Sequence, residues 1–414
     1  MCILAKRHRL YSAVIESPLN VPRYPLGSDT ALFSAGFRPF FLAAGVWAAL
    51  AMALWIAMLA GVFAIPSIFS PATWHFHELL FGFVGAAMAG FLLTAVPNWT
   101  GRLPLQGWRL ALLAGLWLAG RIAVACSQWI GPVLTASVDV SFFLVLAAVL
   151  AREIFAGRNW RNLPVLFALS FLAAANVLVH VGASDTFRLE ELGKRFAIGV
   201  VVMLICFIGG RIVPSFTGNW LRKRKPSALP PGLTGYDRAS LIVTGTALAT
   251  WIIFNLTPLT GSLLLLSAIA QAVRLLRWRG QDTLSEPLLW ILHVGYAWVP
   301  VGLGLLGAAA WRPDLRTAAL HALTAGGMGT MVIAVMTRAS LGHSGRELTA
   351  GAGTLAVYLL ILMSVFSRLT AAIVPEVYQT ALNLAGTGWI AGFALFLWLY
   401  GPLFLRRGPE APRT

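Results

Sequence analysis

Twelve apolar stretches punctuate the chain, each near the roughly 20 residues a helix needs to cross a hydrocarbon core. They begin at about Phe40, Trp74, Trp108, Pro132, Leu163, Arg195, Ala239, Ser262, Pro287, Arg316, Gly351 and Ala381, and Ser262–Leu276 is the shortest. Polar residues gather between them, as they must when the bilayer is the solvent and backbone groups inside it are satisfied within each helix. The pattern predicts an all-α, polytopic membrane protein of about 12 transmembrane helices. A cytoplasmic N-terminal segment (1–38), one transmembrane domain (39–405) and a cytoplasmic tail (406–414) are expected.

Composition sharpens this picture. Fifty-eight per cent of the 414 residues are hydrophobic and 11 per cent charged, a balance that leaves a soluble domain unable to cover its own surface. Cys2, Cys126 and Cys206 lack CxxC spacing, which excludes a disulfide scaffold, a zinc ribbon and a four-thiolate iron–sulfur site. The net charge of +16 sits in short loops between apolar segments, so it reads as membrane topology and not as nucleic-acid binding. Most of the 31 Lys and Arg lie in the termini and in alternate loops, the densest being Arg222, Lys223, Arg224 and Lys225. By the positive-inside rule both termini are expected on the cytoplasmic side of a bacterial inner membrane. The first thirty residues carry Lys6, Arg7, Arg9 and Arg23 but no apolar h-region, so a short cytoplasmic lead is expected there, not a signal peptide. Trp74, Trp99, Trp108, Trp129, Trp220 and Trp311 stand near helix ends, where an interfacial belt is expected.

An internal repeat is visible. Shifting by 244 residues lays HELLFGFVGAAMAGFLLTAVPNWTGR, from His77, on HALTAGGMGTMVIAVMTRASLGHSGR, from His321, and seven of 26 positions agree. Shifting by 117 lays VPNWTG, from Val96, on VPSFTG, from Val213, and Gly82 on Gly199. Helices 2, 6 and 10 would then be equivalent, and the chain reads as three pseudo-symmetric four-helix units, roughly 39–151, 163–275 and 287–405.

Ionisable groups at membrane depth are costly, which makes each one a functional candidate. With the termini inside, His75, His77, His180 and His321 share one layer near the outer face. Successive helical residues turn by about 100°, so His75 and His77 project to different sides and are expected to serve two sites. His77 and His321 start equivalent helices, which suggests axial imidazoles of one macrocycle. His75, with His180, is left for a second metal, and copper suits imidazole. Glu78 lies three residues from His75 and is a candidate to orient a ligand or pass protons. Arg211 and Arg338 occupy equivalent positions and either contact an anion bidentately or snorkel to headgroups. Arg121 is deeper and should face the interior. For His293 and His343 an ordinary hydrogen-bonded imidazole is the expectation.

Four stretches together resemble the NnrS family: GFRPFF from Gly36, WHFHELLFGF from Trp74 with GFLLTAVPNWTGR from Gly90, GGRIVPSFTGNW from Gly209, and HALTAGGMGTMVIAVMTRASLGHSGR from His321. The resemblance spans about residues 31 to 400. It implies a heme- and copper-containing protein of the cytoplasmic membrane, linked to nitric oxide metabolism and protection from nitrosative stress. A looser likeness is to heme–copper oxidases and nitric oxide reductases, loosely like the oxidases' subunit I, with twelve helices in three four-helix arcs. This chain departs from them in lacking an adjacent His-His pair and a mid-helix histidine on helix 6. The expected partners are the lipid bilayer, nitric oxide or a related small molecule, and an electron donor. A transporter and a non-catalytic assembly factor are the alternatives. No GxGxxG, Walker loop or HExxH is present, so nucleotide-driven and zincin chemistry have no support.

Overall fold

Every apolar stretch read from the sequence is helical, and no strand occurs among the described residues. The structure, a computed structural model, describes residues 31–184, 187–224 and 229–406. Most of the predicted N-terminal lead, with Lys6, Arg7, Arg9 and Arg23, and the tail after Arg406 lie outside the described residues. Among the described residues eleven helices are long and apolar enough to cross a membrane: α1 (Phe37–Leu59), α2 (Pro71–Thr100), α3 (Trp108–Ala125), α4 (Pro132–Ala156), α5 (Trp160–Ala183), α6 (Arg188–Arg222), α8 (Pro258–Leu276), α9 (Pro287–Ala308), α10 (Pro313–His343), α11 (Ala352–Ile373) and α12 (Pro375–Leu405). The stretch expected from Ala239 forms α7 (Gly235–Phe254), which falls outside that set. Its first turn carries Asp237 and Arg238. Thr234 and Asp237 cap it reciprocally, and Asp237 also accepts from Arg274 Nε of α8 at 2.9 Å.

Each helix packs on the next, and α12 returns to pack on α1, so the helices close a ring. The GFRPFF stretch makes that closure. Arg38 Nη1 donates to the carbonyls of Leu403 (3.1 Å) and Arg406 (2.7 Å), satisfying groups left open at the end of α12. Gly36 lets the start of α1 approach α2, since a Cβ there would lie 2.5 Å from Leu93 Cβ. Inside the ring, α10 contacts both α2 and α6.

The exterior is apolar: Val133, Trp129, Leu276 and Trp398 are each three-quarters exposed or more. Charged side chains take the opposite place, with His77, Glu78, Arg121, Asp139 and Arg274 buried. This inversion is what lipid solvation selects. Trp74 departs from the expected interfacial belt, because it is 1% exposed and belongs to the core, whereas Trp108 and Trp129 do stand outward. Helices in lipid have no hydrophobic drive toward one another and rely on close van der Waals packing. Gly261 of α8 and Gly307 of α9 illustrate it, since a Cβ on either would lie 2.8 Å from the other's carbonyl oxygen. Gly261→Val is expected to cost about 1–3 kcal/mol through overpacking, read as a lower unfolding temperature of the detergent-solubilised protein.

The three helices matched by the repeat share a feature the sequence hides. Each contains a π-helical stretch: Glu78–Val84 in α2, Ile205–Gly209 in α6 and Ala322–Gly329 in α10. The 244-residue shift lays the first on the third in register. Such i→i+5 stretches widen the helix and are frequent at functional sites.

Candidate metal and cofactor sites

Helix α2 begins where Ser70, its side chain accepting from Thr73 N at 3.3 Å, caps Pro71 at the first helical position. The first turns that follow carry His75 and His77 on different faces, as the helical angle requires. What each face meets differs from the expected pairing.

His77 turns toward α4 and α5, where it is fully buried. Its Nδ1 donates to Glu78 Oε1 at 3.0 Å. Its Nε2 lies 2.9 Å from Asn176 Oδ1 and 3.0 Å from Asp139 Oδ2. His180 Nε2 reaches the same Asp139 Oδ2 at 2.9 Å. His77, Asp139 and His180 thus offer three ligand atoms within 4.8 Å of one another, from α2, α4 and α5.

Around this triad Arg121 of α3 donates from Nη1 to Glu78 Oε1 at 2.8 Å and from Nη2 to Asp139 Oδ1. Asn176 Nδ2 donates to Asp139 Oδ2 at 2.8 Å. Trp47 Nε1 donates to Glu78 Oε2 at 2.8 Å, and Gly82 clears its way, since a Cβ there would lie 2.6 Å from the indole nitrogen. Glu78 therefore serves His77 and Arg121, not His75 as its spacing had suggested.

His75 turns the other way, stacked on Trp55 with ring centroids 4.6 Å apart and planes 17° from parallel. It lines a cavity of about 620 Å³ bounded by α1, α2, α6, α10, α11 and α12, and His321 lines the same cavity. His321 Nδ1 lies 2.8 Å from the Thr317 carbonyl. A carbonyl only accepts, so Nδ1 carries the proton and the Nε2 lone pair is left for a ligand. Buried His75 Nδ1 has no hydrogen-bond partner among the described residues, and neither has Arg368 Nη1, on a guanidinium that also lines the cavity. The remaining walls are largely apolar, Phe76, Phe83, Met328 and Trp389 among them.

The structure therefore exchanges the expected partners: His75 shares a cavity with His321, and His77 meets His180. The reason is rotational. Residues two apart on α2 face different neighbours, and how α2 is turned within the ring decides which neighbours those are. His77 points to α4 and α5, and His75 is left to face α10. Arg211 and Arg338 lie apart from the histidine layer, along the second halves of α6 and α10. His293 Nε2 pairs with Thr217 Oγ1 at 2.9 Å, the ordinary hydrogen-bonded role expected of it. His343 packs its ring on Phe37.

Sequence reasoning missed Asp139, Asn176 and Arg368. Asp139 had a signal, since it stands inside an otherwise apolar helix next to the helix carrying Arg121. Arg368 stands likewise within α11. Asn176 had none, because neutral amides occur in membrane helices for many reasons.

The fold and the buried cluster define the class: an all-α, multi-pass membrane protein whose interior places imidazoles, carboxylates and a guanidinium in contact. Residues 31–407 match the NnrS protein family, and the chain belongs to that family. No curated protein sequence matches the chain.

Proposed function

We propose that this NnrS-family protein binds heme between His75 and His321 and copper at His77, Asp139 and His180, and acts on nitric oxide or metal-nitrosyl species in protection from nitrosative stress. The observation that carries the reading is that His75 and His321 line one cavity of about 620 Å³. That volume lies within the range of cofactor pockets, and the unpartnered His75 Nδ1 and Arg368 Nη1 bordering it are polar atoms that a ligand would satisfy. When bound, heme and copper supply one-electron chemistry and open or exchangeable coordination positions for small diatomic ligands.

The protein's own residues do the rest. His321 is held in one tautomer by the Thr317 carbonyl and His75 is braced by Trp55, so both rings are oriented before any ligand arrives. Arg368 offers a guanidinium to a carboxylate of the macrocycle. At the other site both ring nitrogens of His77 face acceptor oxygens, an arrangement that favours a cation, a proton or a metal ion, beside Nε2 and Asp139. With neutral imidazoles, Glu78 and Asp139 outnumber Arg121 by one negative charge. A copper ion among two imidazoles and a carboxylate offsets that excess, and the donor set suits it. Asn176 and Arg121 hold Asp139 in place, and Glu78 orients His77.

The charge distribution of the loops supports an inner-membrane protein with both termini on the cytoplasmic side. A reduced-minus-oxidised absorption spectrum with metal analysis, on protein purified in detergent from heme-replete cells, tests the reading. Low-spin heme bands with stoichiometric iron and copper are expected. His180→Ala is expected to lose copper and keep iron. A colourless, metal-free preparation would overturn the proposal and leave a carrier as the better account.

A further inference from the structure

A second cavity, of about 720 Å³, lies on the same three helices as the first but at their other ends. Residues 91–99 of α2, 207–216 of α6 and 335–343 of α10 line it, whereas the first cavity takes residues 72–84, 198 and 320–329. It is thus built where the three repeat-related helices converge.

Its chemistry is one-sided. Arg161, Arg211 and Arg338 line it, together with His343, and no Asp or Glu does. None of the three guanidiniums forms an ion pair with a described carboxylate. Glu286, whose field reaches Arg338, lies outside the cavity wall and engages the amides of Leu288 (3.0 Å) and Ala350 (3.3 Å). The guanidinium carbons of Arg211 and Arg338 instead sit against rings. That of Arg211 is 5.3 Å from the centroid of Phe207, and that of Arg338 is 4.4 Å from the centroid of Phe216, reaching from α10 to α6. A face-on ring stabilises the charge and leaves the edge N–H donors open. Phe41, Phe91 and Trp99 add apolar surface to the same cavity.

We propose that this cavity binds an organic oxyanion, a carboxylate or phosphate carried on an apolar body, with Arg211 and Arg338 as the clamp and Arg161 at its rim. Guanidiniums gathered along one cavity whose wall holds no carboxylate leave N–H donors for a ligand, and a planar oxyanion matches their paired N–H geometry. The aromatic wall selects against small inorganic anions, which have nothing to place there. The site is separate from the histidine layer and does not rest on the heme reading. The oxyanion has two sources, a soluble aryl carboxylate or the head of an anionic lipid.

Calorimetric titration of the detergent-solubilised full chain with naphthalene-2-carboxylate and with neutral naphthalene-2-methanol tests it. The carboxylate is expected to bind about tenfold more tightly, the worth of one charge-assisted hydrogen bond. Arg211→Gln/Arg338→Gln is expected to abolish that preference, and Arg161→Gln to reduce it partially. The exposed pair Arg222→Gln/Arg224→Gln, at the end of α6, is expected to leave it intact. Displacement of the carboxylate by dioleoyl phosphatidylglycerol but not by phosphatidylcholine would support the site and assign its occupant to the bilayer; no displacement by either would support a soluble ligand. Equal binding of acid and alcohol, or a preference that survives in the double variant, would overturn the proposal and return these arginines to headgroup anchoring. If the double variant does not fold, Arg161→Gln alone decides.

Discussion

Replacing His75 with alanine is expected to remove the low-spin heme spectrum as completely as His321→Ala does, with iron content falling about tenfold or more as one of the two imidazoles that would hold the heme is lost. His77→Ala is expected to leave those bands in place and to lower copper instead. The contrast follows from which face of α2 each ring occupies: His75 shares its cavity with His321, and His77 is spent on Glu78, Asn176 and Asp139. Absorption spectra and metal analysis of the three variants, purified in parallel, decide it. Loss of the heme bands in His77→Ala with retention in His75→Ala would restore the pairing that repeat equivalence suggests and sink the one proposed.

Arg121→Ala is expected to be the most destabilising single change in the interior. It leaves Glu78 and Asp139 as buried carboxylates with no guanidinium, and breaking a buried pair in this way costs about 3–5 kcal/mol. The loss should appear as a lower unfolding temperature and a reduced yield of monodisperse protein in detergent. Adding Asp139→Asn removes one of the stranded charges, so Arg121→Ala/Asp139→Asn should be more stable than Arg121→Ala alone. The double-mutant cycle should give a coupling of about 0.5–3 kcal/mol, as expected for residues in one network. Additive effects would mean that the two side chains do not depend on each other.

The two experiments probe different properties of one layer. The His75 cavity is mostly apolar and its polar atoms are open to a ligand, while the His77 cluster is charged and already hydrogen-bonded. Function at the first is therefore read in cofactor content, and at the second in both stability and metal.

Hydropathy alone located all twelve helices, with starts no more than seven residues from those observed, because lipid requires each crossing to be long, apolar and internally hydrogen-bonded. The rule that ionisable residues at depth face the interior also singled out His77, Glu78 and Arg121, all of which are buried. Even α7 was found by its pattern, although Asp237 and Arg238 keep it outside the set of strongly apolar helices. Sequence could not say which faces meet. The angle between His75 and His77 is a local property of one helix, but their partners come from α4, α5 and α10, whose rotation about their own axes depends on packing around the whole ring. The three π-helical stretches are equally invisible, since an extra residue in a turn changes no residue type. Only the tertiary structure therefore assigns His75 to the cavity shared with His321, brings Asp139 between His77 and His180, and sets Arg211 and Arg338 at the far end of the same helices, because each placement is fixed by contacts between segments distant along the chain.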